Sequence, residues 1–198
     1  MVSNWPNVKL LQEPERVPMG WLPHEMDRIF ASIEKEPGKI FSIPAKLWWK
    51  CLVSVLLETG ERIKPIRTIE RTAISGEWIL IPAENRKRQT RDKQYKITPE
   101  TAAMVEQLLS YHSQPLMFPW HRSETYIYKV YTDILKRAGL SHDDKSKFHK
   151  WRKTCASIVK RMGGDPTAAL DHASTRTTKR YLDMRICGET PTSDYILR

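Results

Sequence analysis

A chain of 198 residues, 40% of them hydrophobic, is long enough to bury a real core as one domain. Lys and Arg number 33 against 23 Asp and Glu, a net charge of +10 that favours a polyanionic partner. Three cysteines without paired or metal-type spacing, no apolar run of about 18 residues and no basic-then-apolar start exclude a disulfide scaffold, a membrane span and a signal peptide, so a cytoplasmic location is expected.

Residues 1–20 are punctuated by proline and lack periodicity, so they read as a linker or arm. Residues 22–35 place Met26, Ile29, Phe30 and Ile33 on one face and predict a helix. A second helix, 44–59, carries Leu47, Trp48, Cys51, Leu52, Val55 and Leu56, apolar enough to be buried on most sides. Thr59-Gly60-Glu61-Arg62 marks its end.

Residues 77–82 and 94–98 are short and rich in strand formers, and with 67–69 or 72–74 they make a small antiparallel sheet. The 83–93 segment between them is a basic turn. Thr98 caps a helix that begins at Pro99, and 124–138 forms another through Tyr126, Tyr128, Val130, Tyr131, Ile134 and Leu135. A polar connection follows over 139–147, where Asp143 and Asp144 lack the spaced partners of a metal site. His112 and His121 read as surface residues. No phosphate-cradling glycine loop is present, so dependence on ATP is not indicated.

The remaining stretch, 148–184, is FHKWRKTCASIVKRMGGDPTAALDHASTRTTKRYLDM. Trp151, Cys155, Ile158 and Met162 form the expected buried face of a helix that stops at Gly163-Gly164. His149 and Arg152 are i, i+3 neighbours beside that stripe, able to reach one anion together. Asp165-Pro166 starts a short helix, and Ser174 or Thr175 caps a last one that carries Tyr181. Alone, an H-x-x-R pair is two polar residues at a helix boundary, and a lone tyrosine is a core residue with a wet hydroxyl. The succession H-x-x-R, Asp-His, T-x-x-Y is a rarer conjunction and reads as a phosphate-handling site with a tyrosine nucleophile.

This segment resembles the catalytic core of the tyrosine recombinases, the phage integrase family, whose pattern runs H-x-L-R-x-T-x-A-S, L-G-H and T-x-x-Y. Arg152-Lys153-Thr154-Cys155-Ala156-Ser157, Leu170-Asp171-His172 and Thr178-Lys179-Arg180-Tyr181 match it. Trp151 stands where the family has leucine, and Asp171 where it has glycine. The family's T-G-x-R matches at Arg62, but Pro65 occupies the position of its supporting carboxylate. Either Glu61 or Glu70 takes that role or the support is lost.

The resemblance covers roughly residues 20–185. It implies an α+β, mainly helical catalytic-core fold with a small three-stranded antiparallel sheet. It divides the chain into an arm (1–20), a catalytic domain (21–184) and a C-terminal tail (185–198) that docks on a neighbouring protomer or frays. It implies the catalytic set Arg62, Lys87, His149, Arg152, His172 and Tyr181, with Lys93 the alternative lysine. Arg86, Arg88, Arg91, Lys145, Lys147, Lys150, Arg176 and Lys179 are the expected DNA-backbone contacts.

The implied activity is that of a site-specific DNA recombinase or integrase of a mobile genetic element, nucleoid-associated, with no metal, ATP or other cofactor. The expected partner is double-stranded DNA, met by a monomer that assembles as a tetramer on paired sites. A topoisomerase-like nicking and resealing enzyme and a catalytically impaired DNA-binding relic are the alternatives. The chemistry suits the residues: guanidiniums bind phosphate oxygens through forked donors. A phenol ordinarily ionises only near pH ~10, so its attack needs a nearby base or positive charge.

Overall fold

A 15-residue helix with almost no polar face lies at the centre of the fold. The computed structural model describes residues 17–86, 91–142 and 147–188. In it α1 (Pro23–Ile33) precedes a hairpin of β1 (Lys39–Ile40) and β2 (Ile43–Pro44), which leads into the central helix α2 (Ala45–Thr59). Trp48, Trp49, Leu52, Val53, Val55 and Leu56 are buried around its circumference, so α1, α4 (Pro99–Ser110) and α6 (His149–Arg161) all pack on it. Helix α5 (Glu124–Arg137) lies against α1 and presents Ile127, Tyr131, Ile134 and Leu135 to the core. No helix among the described residues is long and apolar enough to cross a membrane.

The sheet is antiparallel, in the order β3 (Ile74–Ser75), β4 (Trp78–Ile81), β5 (Lys93–Lys96). Its first strand starts at the last residue of the 72–74 window. The other window, 67–69, is instead the end of a short helix, α3 (Ile63–Arg67), and the turn after it. Ile79 pairs with Tyr95 and Ile81 with Lys93 across the β4–β5 ladder, which sends Ile79, Ile81 and Tyr95 into the core. The hairpin β1–β2 was not anticipated, because two-residue strands are too short to show a period.

Helix α6 differs from the expected stripe at its end. Trp151 and Cys155 are buried, but Met162 is 80% exposed because the helix ends at Arg161. The buried face instead runs through Arg152, Thr154, Ala156 and Ser157. Trp151 fits through its indole, which donates to Tyr131 OH at 2.7 Å and lies among the rings of Trp21 and Phe30.

The arm, expected to be a linker outside the core through residue 20, ends in an anchor. Gly20 N–H donates to Asp183 Oδ2 at 2.8 Å, and Trp21 N–H to Thr154 Oγ1 at 2.7 Å. A Cβ on Gly20 would sit 2.9 Å from both Ile186 Cδ1 and Thr154 Oγ1, so any larger residue would push these neighbours aside. The tail boundary drawn at 184/185 falls inside α9 (Met184–Cys187), whose Ile186 is buried. Residues 1–16 of the arm and 189–198 of the tail lie outside the described residues.

Candidate active site

Two helix ends build the site. Gly60 closes α2 in the left-handed conformation (φ 61°), returning its N–H to Leu56 O. A Cβ there would meet Cys155 Sγ and Leu170 Cδ2 at 2.9 Å, so the position requires glycine on two counts. The other end belongs to α7 (Pro166–Leu170), which Asp165 caps by accepting from Thr167 N–H at 2.8 Å. It closes on Asp171, also left-handed at φ 54° and ψ 47°.

Arg152 spans these two ends from α6. Its Nη1 donates to Gly60 O and its Nη2 to Leu170 O, both at 2.7 Å. Carbonyls at helix C-termini carry partial negative charge, which suits a guanidinium. The side chain is 2% exposed, and its Nε finds no hydrogen-bond partner among the described residues. Burial opposes the charge, while Glu61 Oε2, 3.8 Å from Nη1, supports it.

His172 follows Asp171 and lies against Arg152, with Nε2 at 3.1 Å from Nη2. Arginine only donates, so Nε2 is the acceptor and the ring proton resides on Nδ1, 3.1 Å from Thr178 Oγ1. Burial, and then the charges of Arg152 and Arg62, push its pKa down to about 4. The imidazole is therefore neutral at neutral pH.

Thr178 is buried on α8 (Thr175–Lys179), which Ser174 caps through Thr177 N–H. Tyr181 was expected on this helix, but α8 is only five residues long and ends before it. The tyrosine occupies the next turn, its N–H bonded to Thr178 O at 2.8 Å. From there its ring centroid lies 4.7 Å from that of His172, 5.1 Å from that of His149 and 5.6 Å from Arg152 Cζ. Four of the six expected catalytic residues thus converge. Arg62, half-buried at the start of α3, is near enough for its charge to act on Arg152 and His172.

Of the two carboxylates considered for support, Glu61 is the one at the site. It is buried and accepts from Arg86 Nε at 2.8 Å and from Tyr95 OH at 2.6 Å, whereas Glu70 is exposed. Burial alone would raise the Glu61 pKa; the hydrogen bonds from Tyr95 and Arg86 outweigh it and hold the carboxyl below its usual range.

Arg86 was expected to face DNA, and the structure turns it inward. Its side chain is 2% exposed because two carboxylates meet it, Glu61 and Asp171, the latter at 3.1 Å. Lys150 is likewise buried, with Nζ 4.1 Å from the Trp21 ring centroid. Lys147 is half-buried and donates to Thr132 Oγ1 at 2.6 Å. Arg91, Arg176 and Lys179 are exposed. Lys87, Arg88 and Lys145 lie outside the described residues.

Lys93 starts β5 and donates to Ala169 O at 2.7 Å and Ala168 O at 3.3 Å, at the end of α7. Burial lowers its pKa. Sequence reasoning missed Tyr95 and Asp183, each bonded to a residue far away in the chain. Among the described residues, no three His, Cys, Asp or Glu side chains group as metal ligands would.

The phage integrase family profile matches residues 22–186. No curated protein matches the chain by sequence. Among solved structures, XerA recombinase superposes with a TM-score of 0.67 at 19% identity, over 93% of this chain and 65% of that one. The catalytic domain of bacteriophage HP1 integrase gives 0.62 at 16% identity, over 91% of this chain and 95% of that one. A lambda integrase tetramer bound to a Holliday junction gives 0.66 at 13% identity, over 90% of this chain and 51% of that one. The chain therefore spans nearly the whole HP1 catalytic domain but less than two thirds of the XerA and lambda proteins. At these identities the likeness carries the fold.

Proposed function

The chain belongs to the phage integrase family, and from that premise we propose that it acts as a site-specific DNA recombinase through a 3′-phosphotyrosine at Tyr181. One observation carries the reading: the Tyr181 ring lies within 5.6 Å of a buried guanidinium and beside two imidazoles. Relatives of the same fold support a DNA partner. They include a XerH recombinase bound to its difH substrate and a lambda integrase dimer bound to a COC′ core site.

In this reading the scissile phosphate enters between Arg152 and Arg62, whose fixed charges stabilise the negative charge that grows on the non-bridging oxygens. Arg152 is already oriented by two carbonyls, so little reorganisation accompanies the reaction. Tyr181 attacks phosphorus and passes its proton towards His149 or His172. His172 has its Nε2 occupied by Arg152 in the free protein. Burial and then the nearby cations depress its pKa, and an incoming anion counters the cationic part, so the ring gains affinity for a proton that it can donate to a phosphate oxygen.

The deoxyribose 5′-oxygen leaves and takes a proton from a lysine of the β4–β5 hairpin. Lys87 is proposed for this role with Lys93 as the alternative; Lys87 lies outside the described residues, and burial lowers the pKa of Lys93, which would ease its proton donation. The ester energy is retained in the phosphotyrosine, so a second 5′-hydroxyl can attack and rejoin the strand without ATP. With guanidiniums as the charge stabilisers, the reaction is expected to proceed in a chelator.

Arg91, Arg176 and Lys179 are exposed cations suited to hold the duplex backbone. The catalytic unit is proposed to run from residue 21 through the end of α9, since the boundary expected at 184 cuts that helix. Assembly as a tetramer on paired sites is proposed by analogy with the lambda complex.

The test is a covalent trap. The protein is incubated with a supercoiled plasmid library of random inserts, quenched with SDS and examined for DNA-linked protein beside Tyr181→Phe. An adduct that forms in EDTA without ATP and vanishes in the variant is the expected result. DNA binding without any adduct would sink the cleavage reading and leave a DNA-binding relic.

A further inference from the structure

The carbonyls that grip Arg152 belong to Gly60 and Leu170, the residues immediately before Glu61 and Asp171. One guanidinium joins those two carboxylates: Arg86 Nε lies 2.8 Å from Glu61 Oε1, and Nη2 lies 3.1 Å from Asp171 Oδ2. Arg86 therefore fixes the separation between the ends of α2 and α7, and with it the spacing of the two acceptor carbonyls. Neighbours on the same hairpin reinforce the joint. Tyr95 OH donates to Glu61 at 2.6 Å, Arg91 lies 3.3 Å from Asp171 Oδ1, and Lys93 holds Ala168 O and Ala169 O.

Asp171 keeps a left-handed backbone (φ 54°) that disfavours most side chains, although aspartate tolerates it better than others. A residue chosen only for that turn would be glycine. The carboxylate is directed at Arg86 and Arg91, and His172 is the next residue along the chain.

We propose that Arg86 and Asp171 are positioning residues of the site, and that the Glu61–Arg86–Asp171 strut sets the orientation of Arg152 and His172. The inference rests on the strand-cleavage reading of the cluster. Neither residue touches the phosphate in this arrangement; each acts through the carbonyl or imidazole beside its partner. The shape of Arg86 matters more than its charge, because one planar guanidinium both hydrogen-bonds Glu61 through Nε and ion-pairs with Asp171 through Nη2, a span that a lysine ammonium lacks.

Asp171→Gly is the discriminating variant. It removes the strut's far end and relieves the left-handed strain, so the protein is expected to fold with an unchanged or higher melting temperature. Its adduct rate at saturating plasmid library is expected to fall about tenfold or more, since small misplacements of reacting groups cost that much. DNA affinity is expected to stay within about twofold, because the loss lies in orientation rather than binding. Asp171→Asn, which keeps an oxygen acceptor for Arg86, is expected to recover most of the lost rate. Arg86→Lys is expected to resemble Asp171→Gly.

A DNA-free readout separates this inference from the function it rests on. In the parent, 15N NMR of the His172 ring should show a protonated Nδ1 and a bare Nε2; in Asp171→Gly that single tautomer should give way to a mixture. An Asp171→Gly variant with the parent's adduct rate, or with an unaltered His172 ring signal, overturns the strut. Should no form of the protein make an adduct, the cleavage reading fails, and the ring signal alone decides whether the strut positions His172.

Discussion

Arg152 and Tyr181 sit side by side but are held by opposite means. The arginine is 2% exposed and locked between two helix-end carbonyls, with Glu61 behind it. The tyrosine is half-buried in a turn past a five-residue helix, its ring meeting two imidazoles at 63° and 54°. Its segment is fastened at both ends rather than along its length. Thr178 faces His172, and the buried Asp183 takes the Gly20 N–H while its own N–H donates to Ser157 Oγ. The difference matches two tasks. Charge that must be in place before reaction is built into the core, where it is preorganised. In the proposed reaction, the nucleophile, which must attack, carry DNA and then be released, sits on a short anchored segment.

The largest effect should come from the rigid half. Arg152→Ala is expected to lower the adduct rate by about 10²–10³ or more, as loss of a preorganised charge stabiliser does. Arg152→Lys should rescue little, since one ammonium cannot reach both carbonyls and a phosphate. A loss of only a few-fold would break the contrast between the two halves.

Gly60→Ala probes the same half through the fold. It combines left-handed strain with contacts of 2.9 Å to Cys155 and Leu170, and should cost about 2–4 kcal/mol in urea unfolding. The anchored half should respond differently. Asp183→Ala leaves the Gly20 and Arg185 amides without their acceptor and is expected to cost about 1–3 kcal/mol. Hydrogen exchange should quicken at the amides of 181–183 and stay unchanged in α6; uniform quickening would argue against a local anchor.

The smallest effect is a pH slope. The folded-state pKa of His172, about 4, lies below its ordinary 6.5, so the unfolded chain binds this proton more readily. The contribution is complete above pH 6.5 and is lost as pH falls from there through about 4. Urea midpoints of the parent should therefore decline over that window more steeply than those of His172→Gln. Parallel profiles would mean that His172 is not the neutral ring described.

The long periodic elements were legible because their pattern lies within one helix. Helices α2 and α6 were expected from apolar spacing, and the H-x-x-R, Asp-His, T-x-x-Y succession pointed to residues the structure brings together. What stayed hidden depends on residues distant in sequence. Arg86 sits in a basic turn that looks solvent-facing, and its partners lie 25 and 85 positions away at Glu61 and Asp171. Met162 extended the α6 stripe by one turn, although Gly163 and Gly164 already marked the stop. Tyr181 follows Thr178 by three residues, a spacing that a simple turn satisfies as well as a helix does. Asp183 carried one local signal, a cap before Met184, but its bond to Gly20 spans 163 positions.

The most direct test of the account is to map the residue that carries DNA in the trapped adduct. Nuclease trimming followed by trypsin should release the peptide from Tyr181 to Arg185 bearing a nucleotide on the phenol oxygen, with a free 5′-hydroxyl on the cleaved strand. A nucleotide on any other residue, or a 5′-linked adduct, would contradict the arrangement of Tyr181 against Arg152 and His172 as the reacting cluster.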